Sequence, residues 1–379
     1  MYTFKIERIV EPDKWDQNLM KSSYSSFFQT AEYLTVESVL PDRYPLFISI
    51  LDNTGNVQGQ LGLIIQKSVT VYSSLLLRRF FNFFSGFGIR ALWASGPVIH
   101  TNEKNARGEI LYTIIKALEV IAEEHKVVVI TGYTPHQDFL VDEGYKNEFI
   151  KNGYQIKKFF TFISSLSRDI NEIWNGVEKN ARRDVARAKN RNIVVKELEN
   201  YDQVNDYFSL STKWAKTKGV DSFFSDVQKK GYWEYYQKGI ERVFLAYQDG
   251  ELISGHRLGC FNGISCSHKL TSSYSRPNSL GGPLLTWYAI EWSKKNGMKF
   301  YDFSGGEAPP SDSENNKKYQ EQWSSLLAYK RKWGGDEVSY YHIVKVKRKK
   351  RYKVFRFISQ IDWIYRNYKK RYYERSRQA

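Results

Sequence analysis

The hydrophobic and polar positions of the chain form two successive series of strand and helix patterns. In the first series, alternation over residues 3–9, 46–51 and 59–71 predicts strands, residues 107–125 have helical spacing, and residues 127–130 predict another strand. A second series starts near Phe160. It predicts strands at 160–166, 193–198, 299–303 and 337–346, helices at 171–190, 204–218, 225–238 and 283–295, and a hairpin within 243–270. The order of elements therefore restarts partway along the chain.

This restart predicts a duplicated domain of the α+β class. At 379 residues the chain is longer than a single hydrophobic core usually grows. We expect a first domain over 1–160 and a second over 161–345, each with a mixed sheet flanked by helices, and then a basic helical tail over 346–379. No residue-level repeat links the two halves, so the duplication is a prediction about structure alone.

The positive charge of the chain is concentrated in this tail. The net charge is +16, and residues 345–379 contain fourteen Lys or Arg against Asp362 and Glu374. Six apolar residues recur at spacings of 4, 3, 4, 3 and 4, which predicts one stripe on a helix: Val354, Ile358, Ile361, Tyr365, Tyr368 and Tyr372. Three interpretations stay open: a helix that docks on its own domain, a contact with an anionic membrane, and a contact with RNA.

The N-terminal residues and the cysteines indicate an intracellular protein. The chain starts without a charged region followed by an apolar run, so we expect no secretory signal. The most apolar segment, 75–93, is interrupted by three arginines, which makes a membrane-spanning helix too costly. The two cysteines, Cys260 and Cys266, predict no disulfide framework. We therefore expect a cytoplasmic protein, with peripheral contact at the inner face of the membrane as an option for the tail.

A glycine pair at a predicted helix start is the first candidate for binding chemistry. Gly281 and Gly282 precede Pro283, a residue that suits the first turn of a helix, and Arg276 lies just upstream. Backbone N–H groups at such a start can hold a pyrophosphate or a developing oxyanion. The alternative is that the glycines only form a tight turn. Lys269, in the predicted hairpin, is a further candidate for binding phosphate.

An acidic residue and a basic ridge are the next candidates. Asp302 ends an aromatic strand just before a glycine turn, where it can position an amine or accept its proton; the alternative is a turn-capping Asp. Arg183, Arg187 and Arg191 recur four residues apart, so they share one face of a predicted helix. That ridge is either a solvated surface or a site where arginines meet phosphates.

Two histidines and two cysteines invite a zinc hypothesis that strand register argues against. If Asn262-Gly263 forms a two-residue turn, Phe261 faces Ile264 and Cys260 faces Ser265. Alternation then places His256 and Cys260 on one face of the hairpin and Cys266 and His268 on the other, so the four cannot converge. We expect no metal. The sequence motifs of serine hydrolases, Walker loops and zinc proteases are also absent from the sequence.

Several of these segments together resemble the FemABX family, whose members have two fused domains of the acyl-CoA N-acyltransferase (GNAT) fold. The resemblance starts at the aromatic-Gln segment 26–33 (SFFQTAEY) and the Gly-Pro turn 95–98 (SGPV). It continues through the basic helix 173–192 and strand 192–195 (NIVV), where a usual glycine is replaced. The endings 301–306 (YDFSGG) and 329–335 (YKRKWGG) match the family patterns most closely.

The resemblance implies an acyltransferase that moves an aminoacyl group from aminoacyl-tRNA to an amine of a peptidoglycan precursor. It implies no cofactor, because the charged tRNA is a co-substrate. Lys330 matches the lysine of the closing motif and is the candidate for stabilising the oxyanion or the leaving group, and Asp302 for orienting the amine. The candidates for substrate phosphates are Arg276, Gly281, Gly282, Arg183, Arg187 and Lys269.

Two other functions remain compatible with the sequence. One is an acyl-CoA-dependent N-acetyltransferase that acts on an amino sugar of a surface polysaccharide, for which the Gly281-Gly282 pair would bind the pyrophosphate of coenzyme A. The other is a non-catalytic RNA-binding or membrane-binding protein on the same scaffold, supported by the basic tail and by the unusual spacing of the glycine loop.

Overall fold

The computed structural model describes residues 2–22, 24–39, 42–67, 88–136, 141–217, 226–273, 280–305 and 326–375. The chain divides into two compact units. Unit 1 comprises Met1–Lys158, Thr212–Tyr235 and Tyr341–Ala379, and unit 2 comprises Phe159–Ser211 and Tyr236–Tyr340. The sequence-based bounds at 160 and 345 stay a prediction about domains. Arg276 and the aromatic segment 75–87 lie outside the described residues.

The first part of the chain contributes six strands and four helices to the described structure. The strands are β1 (Thr3–Glu7), β2 (Arg43–Leu51), β3 (Val57–Gln66), β4 (Arg90–Trp93), β5 (Val98–Ile99) and β6 (Val129–Tyr133). The helices are α1 (Pro12–Leu19), α2 (Ala31–Glu37), α3 (Lys104–Glu124) and α4 (Glu143–Lys151). Strand order is β1-β2-β3-β4-β6, antiparallel except for the parallel β4–β6 pair.

The long helix α3 explains why this sheet forms. Its apolar residues recur at helical spacing and are all buried against the strands: Ile110, Leu111, Ile114, Ile115, Leu118 and Ile121. They cover one face of β1, β2 and β3, whose own inward residues complete the core. Gln29 fixes the neighbouring segment, since its fully buried amide bonds Gly62 in both directions and donates to the Ala94 carbonyl.

The rest of the chain contributes seven strands and six labelled helices to the described structure. The strands are β7 (Gln155–Ser165), β8 (Val194–Glu197), β9 (Glu241–Gln248), β10 (Glu251–Phe261), β11 (Ile264–Ser272), β12 (Phe300–Asp302) and β13 (Asp336–Val346). The helices are α5 (Ile170–Gly176), α6 (Lys179–Asn190), α7 (Tyr201–Thr217), α8 (Asp226–Gln237), α9 (Gly281–Lys295) and α10 (Lys349–Arg375). Residues 326–331 form one further helical segment.

The strands of unit 2 run in the order β8-β9-β10-β11-β12-β7. The pairs are antiparallel except for β11–β12, which is parallel. The crossover between those two strands carries α9, whose buried residues form the core of unit 2 with Phe244, Leu258 and Tyr301. In unit 1, residues 342–346 of β13 add an antiparallel strand beside β6.

The described elements repeat one topology. In both halves of the chain a strand is followed by two helices, then by three antiparallel strands, a buried helix and a strand parallel to the third: β1-α1-α2-β2-β3-β4-α3-β6 and β8-α7-α8-β9-β10-β11-α9-β12. The small β5 on the side of β3 is an addition in the first half. The restart of the pattern therefore reflects a structural repeat, which residue identity does not reveal.

The prediction of one continuous helix over 171–190 is wrong. The helix predicted over 171–190 is two helices, because Val177 adopts an extended conformation after Gly176. The break allows the N–H of Glu178 to donate to the carbonyl of Lys332 at 2.8 Å. This bond ties the start of α6 to the chain segment that carries Lys330.

None of the helices within the described residues is both long and apolar enough to cross a membrane.

Candidate active site

Asp302 lies at the end of β12, a three-residue strand between β7 and β11. Its neighbour Tyr301 is fully buried in the core under α9, so alternation directs Asp302 to the opposite face of the sheet. The Asp302 carboxylate is buried and accepts hydrogen bonds from Thr161 Oγ1 at 3.2 Å and from the Ser304 N–H at 2.8 Å. The positive φ of Ser304, 57°, turns the chain so that this N–H points back to the carboxylate.

Lys330 brings a buried cation to this carboxylate. The residue is 8 % exposed, and its Nζ donates to the backbone carbonyl of Ser304. Burial lowers the pKa of Lys330 to about 8, while the negative charge of Asp302 opposes the shift. At neutral pH the ammonium is therefore the main form, yet it loses its proton more readily than an exposed lysine.

The loop that follows Lys330 is held in place from both sides. Trp333 is fully buried, and the neighbouring Tyr329 hydroxyl lies 2.8 Å from Thr286 Oγ1 on α9. Gly334 and Gly335 both have positive φ, and a Cβ on Gly335 would lie 2.8 Å from the carbonyl oxygen of Ile163 in β7. The glycines of the closing motif thus allow this loop to pack directly against the backbone of β7, and this packing holds Lys330 in position.

Cys266 borders the pair without adding a nucleophile. Its Sγ lies 2.8 Å from the Ser304 hydroxyl, and burial raises the pKa of the thiol well above its usual value. A thiol that stays protonated neither attacks an ester nor binds a metal readily. Ser304 therefore contacts all three groups of the site, through its N–H, its carbonyl and its hydroxyl.

A second polar cluster lies on the same face of the sheet, and the sequence analysis missed it as a site. Glu241 is fully buried and accepts from Arg257 through Nε at 2.9 Å and Nη2 at 2.7 Å, and from His268 Nδ1 at 2.8 Å. Burial raises the pKa of Glu241, but the charges of Arg257 and His268 outweigh it and lower the pKa overall. We call these three residues the Glu241 cluster. The sequence offers only a weak signal for it, an acid and an arginine on neighbouring strands two residues out of register.

The hairpin has the register that the sequence predicts. Phe261 pairs with Ile264 and Cys260 with Ser265. His256 belongs to the core side, where it contacts the Leu285 carbonyl of α9 and Ser267, and burial lowers its pKa to about 4. His268 bonds Glu241 on the opposite side. The two histidines therefore occupy opposite faces.

The other predicted site residues occupy separate places. Gly281 and Gly282 begin α9 and are buried. A Cβ on Gly281 would lie 2.8 Å from the Cβ of Ser254, so close packing against β10 explains why a glycine is needed at this position. Lys269 is half-buried on β11, opposite Arg257. Arg183 and Arg187 are exposed on α6, whose other face is buried, and Arg187 lies 3.6 Å from Asp184. The structure thus brings together Lys330 and Asp302.

The geometry of the pair suits the transfer of an acyl group to an amine. A buried ammonium stabilises the negative oxygen of a tetrahedral intermediate far better than a solvated one, since the local dielectric is low. A fixed carboxylate beside it can hold a positively charged or hydrogen-bonding amine. Both groups are held by backbone contacts, so little reorganisation is needed when charge develops.

Several solved structures share the fold of this chain. FemX superposes with a TM-score of 0.66 at 14% identity, over 92% of this chain and 99% of its own. L-PGS from Bacillus licheniformis has a TM-score of 0.55 at 14% identity, over 92% and 97%. A tandem GNAT protein from the clavulanic acid biosynthesis pathway has a TM-score of 0.50 at 12% identity, over 89% and 98%.

The sequence itself matches no protein-family model and no curated protein. At these identities the structural likeness is one of fold. The fold is the tandem GNAT fold, of the type found in FemX, as the resemblance to the FemABX family implies.

Proposed function

We propose that the chain is an acyltransferase that moves an aminoacyl group from aminoacyl-tRNA to a free amine of a peptidoglycan precursor. The observation that carries this proposal is the buried Lys330 ammonium beside Asp302, at the position where the FemABX resemblance implies a catalytic lysine. The FemX-like fold gives the proposal further support. The charged tRNA acts as co-substrate, so the reaction needs no cofactor.

The reaction needs placement and charge more than covalent catalysis. The acceptor amine attacks the ester carbonyl, the carbonyl oxygen becomes negative, and the C–O bond to the ribose then breaks. Lys330 stabilises the oxyanion and gives a proton to the departing ribose oxygen, for which a pKa of about 8 is well suited. Asp302 orients the acceptor amine before the attack.

The basic ridge of α6 is the candidate contact for the tRNA phosphates. Arg183 and Arg187 are exposed and four residues apart, so both guanidinium groups can reach one phosphate backbone. Lys269 and Arg276 are further candidates for phosphate groups of either substrate. A coenzyme A donor remains the second candidate, because Gly281 and Gly282 begin a helix and because a tandem GNAT protein shares the fold.

The tail helix α10 supplies a surface for an anionic membrane. Ile358 and Asp362 face unit 1 and are buried, whereas Phe357, Ile364 and Tyr368 are 63%, 61% and 66% exposed. These three residues lie on one side of the helix, and basic residues surround them. An apolar row flanked by basic side chains fits an anionic membrane, because the row can enter the acyl layer while the basic side chains meet the headgroups.

Purified protein tests the proposal directly. It is incubated with tRNA carrying a radiolabelled amino acid and a soluble muramyl peptide with a free side-chain amine, and in parallel with labelled acetyl-CoA and an amino sugar. We expect the label to move from tRNA to the peptide. Lys330→Met should abolish this transfer, and Arg331→Gln, at an exposed neighbouring residue, should keep it. Transfer from acetyl-CoA alone would mean that the donor is acyl-CoA and not aminoacyl-tRNA. No transfer from either donor, with binding to RNA or vesicles intact, would favour a non-catalytic binding protein.

A further inference from the structure

The Glu241 cluster is a buried ionic group for which the proposed function has no use. Glu241 is fully buried, and the side chain of Arg257 is 6 % exposed, whereas that of His268 is 18 % exposed. Arg257 holds both carboxylate oxygens, so the charge of Glu241 is already neutralised by one partner. The additional histidine is therefore not required to balance the buried acid.

The hydrogen bond to Glu241 fixes the tautomer of His268. The pKa of Glu241 is lowered overall by its two partners despite burial, so the carboxylate is ionised and only accepts hydrogen bonds. His268 Nδ1, 2.8 Å from Glu241 Oε1, must carry the proton. In the neutral ring the lone pair then sits on the other ring nitrogen, Nε2.

Alternation along β11 places His268 on the face that carries Asp302. Cys266 contacts Ser304 beside Asp302, and His268 lies two residues further on, so both side chains point to one face. Ser267, between them, contacts His256 on the core side. Arg257 pairs with Lys269 and Leu258 with Ser267, so His268 is also the extra residue of a β-bulge. Such bulges are over-represented next to active sites.

The same strand brings His268 close to Asp302 and Lys330. Cys266, two residues before His268, pairs directly with Asp302, and its thiol lies in the potential of both Asp302 and Lys330. Two residues along a strand and one strand across correspond to a Cα separation of about 8 Å between His268 and Asp302. His268 and Asp302 therefore occupy neighbouring positions on one face of the sheet.

We propose that His268 is the general base that accepts the proton of the acceptor amine, with Glu241 and Arg257 as positioning residues. This inference rests on the proposed transfer of an acyl group to an amine, and it applies to either donor. His268 is a catalytic residue in this proposal because its Nε2 touches the reacting amine.

The proton transfers balance across the two halves of the site. The amine nitrogen forms a bond to the ester carbon, and its excess proton moves to His268 Nε2. The C–O bond then breaks, and the ribose oxygen takes a proton from the Lys330 ammonium. The protein is left with a protonated His268 and a neutral Lys330, and exchange with solvent restores both. The reaction therefore requires a neutral His268 and a charged Lys330 before the amine attacks.

The decisive variants are His268→Gln and His268→Ala. Gln keeps a donor towards Glu241 but has no basic nitrogen, so we expect kcat to fall about 100-fold with KM nearly unchanged. Added imidazole should restore part of the rate of His268→Ala. His125→Gln, which changes a partly exposed histidine of unit 1, is the matched control and should match the wild type.

Glu241→Gln tests the positioning role of the acid. It should lower kcat less than His268→Gln does and should leave KM nearly unchanged, because His268 keeps its basic nitrogen but loses the carboxylate that fixes its tautomer. The circular dichroism spectrum should match that of the wild type.

Two results would overturn the inference. Turnover by His268→Gln within threefold of the wild type would leave the proposed function standing and would exclude His268 as the base. Nitrogen-15 NMR of the imidazole, assigned with His268→Gln, should show the proton on Nδ1; a proton on Nε2 would exclude the role without any assay. Failure of the wild type with both donors would instead remove the proposed function, and the inference with it.

Discussion

At the residue scale, the pairing of Lys330 with Asp302 gives the sharpest expectation. Lys330→Met removes the ammonium that stabilises the oxyanion, so we expect kcat/KM to fall about 100-fold to 1000-fold. Lys330→Arg keeps the charge but not the compact geometry and should recover only part of the rate. Label transfer at saturating donor measures both. Arg331→Gln alters an exposed side chain next door and should stay within about twofold of the wild type.

The pH dependence of the same lysine gives a second expectation. Burial lowers the pKa of Lys330 to about 8, so the charged form is present below that pH and is lost as the pH rises through it. Turnover should therefore decline above pH about 8, and the decline should be missing in the residual activity of Lys330→Met. An unchanged alkaline limb in that variant would assign the limb to another group.

Gly335 allows a test of what holds the loop. With a φ of 93° and a Cβ position 2.8 Å from the Ile163 carbonyl, Gly335→Ala combines backbone strain with a steric clash. We expect the free energy of unfolding to fall by about 2–4 kcal/mol in urea denaturation. Gly55→Ala, at a φ of 84° with no atom within 4 Å, isolates the strain and should cost about 1 kcal/mol. Equal losses would mean that the clash relaxes.

At the element scale, the exposed row of α10 is the feature most open to experiment. The triple variant Phe357→Ser/Ile364→Ser/Tyr368→Ser should lose at least about tenfold in affinity for phosphatidylcholine vesicles that contain phosphatidylglycerol. The residues are exposed, so folding should be unaffected. Co-sedimentation measures binding, and vesicles without phosphatidylglycerol should bind little.

The matched control for α10 changes three exposed apolar residues elsewhere in unit 1, as Ile9→Ser/Tyr112→Ser/Ile150→Ser. It should bind vesicles like the wild type. If the α10 variant also bound like the wild type while salt removed the binding, charge alone would explain the contact. Binding to RNA in preference to vesicles, with the same loss in the triple variant, would assign the row to base stacking instead.

At the scale of the whole molecule, the tail helix separates catalysis from surface binding. A chain that ends after Arg348 lacks α10 and so exposes the apolar surface that Ile358 covers, which should lower the free energy of unfolding by about 2–3 kcal/mol. It should keep turnover on a soluble muramyl peptide, because the candidate site lies in unit 2. A loss of turnover in a chain that is still folded would tie the activity to the tail.

The sequence determined the elements and the class of fold. Hydrophobic spacing located the buried helices α3 and α9, and the turn at Asn262-Gly263 set the register of its hairpin correctly, since side-chain periodicity and turn chemistry are local properties. It also singled out Asp302 and Lys330 separately. Periodicity did not reveal the break at Val177, because the hydrogen bond that accompanies it joins Glu178 to Lys332, more than a hundred residues away.

Only the tertiary structure decided which polar residues meet. Three features of the site arise between segments that are far apart in sequence. They are the burial that lowers the pKa of Lys330, the three contacts of Ser304, and the packing of Gly335 against β7. The Glu241 cluster depends on strand pairing, which brings residues of β9, β10 and β11 together on the face opposite His256. Local patterns fix the kind of element, whereas the electrostatics of a site depend on packing between elements.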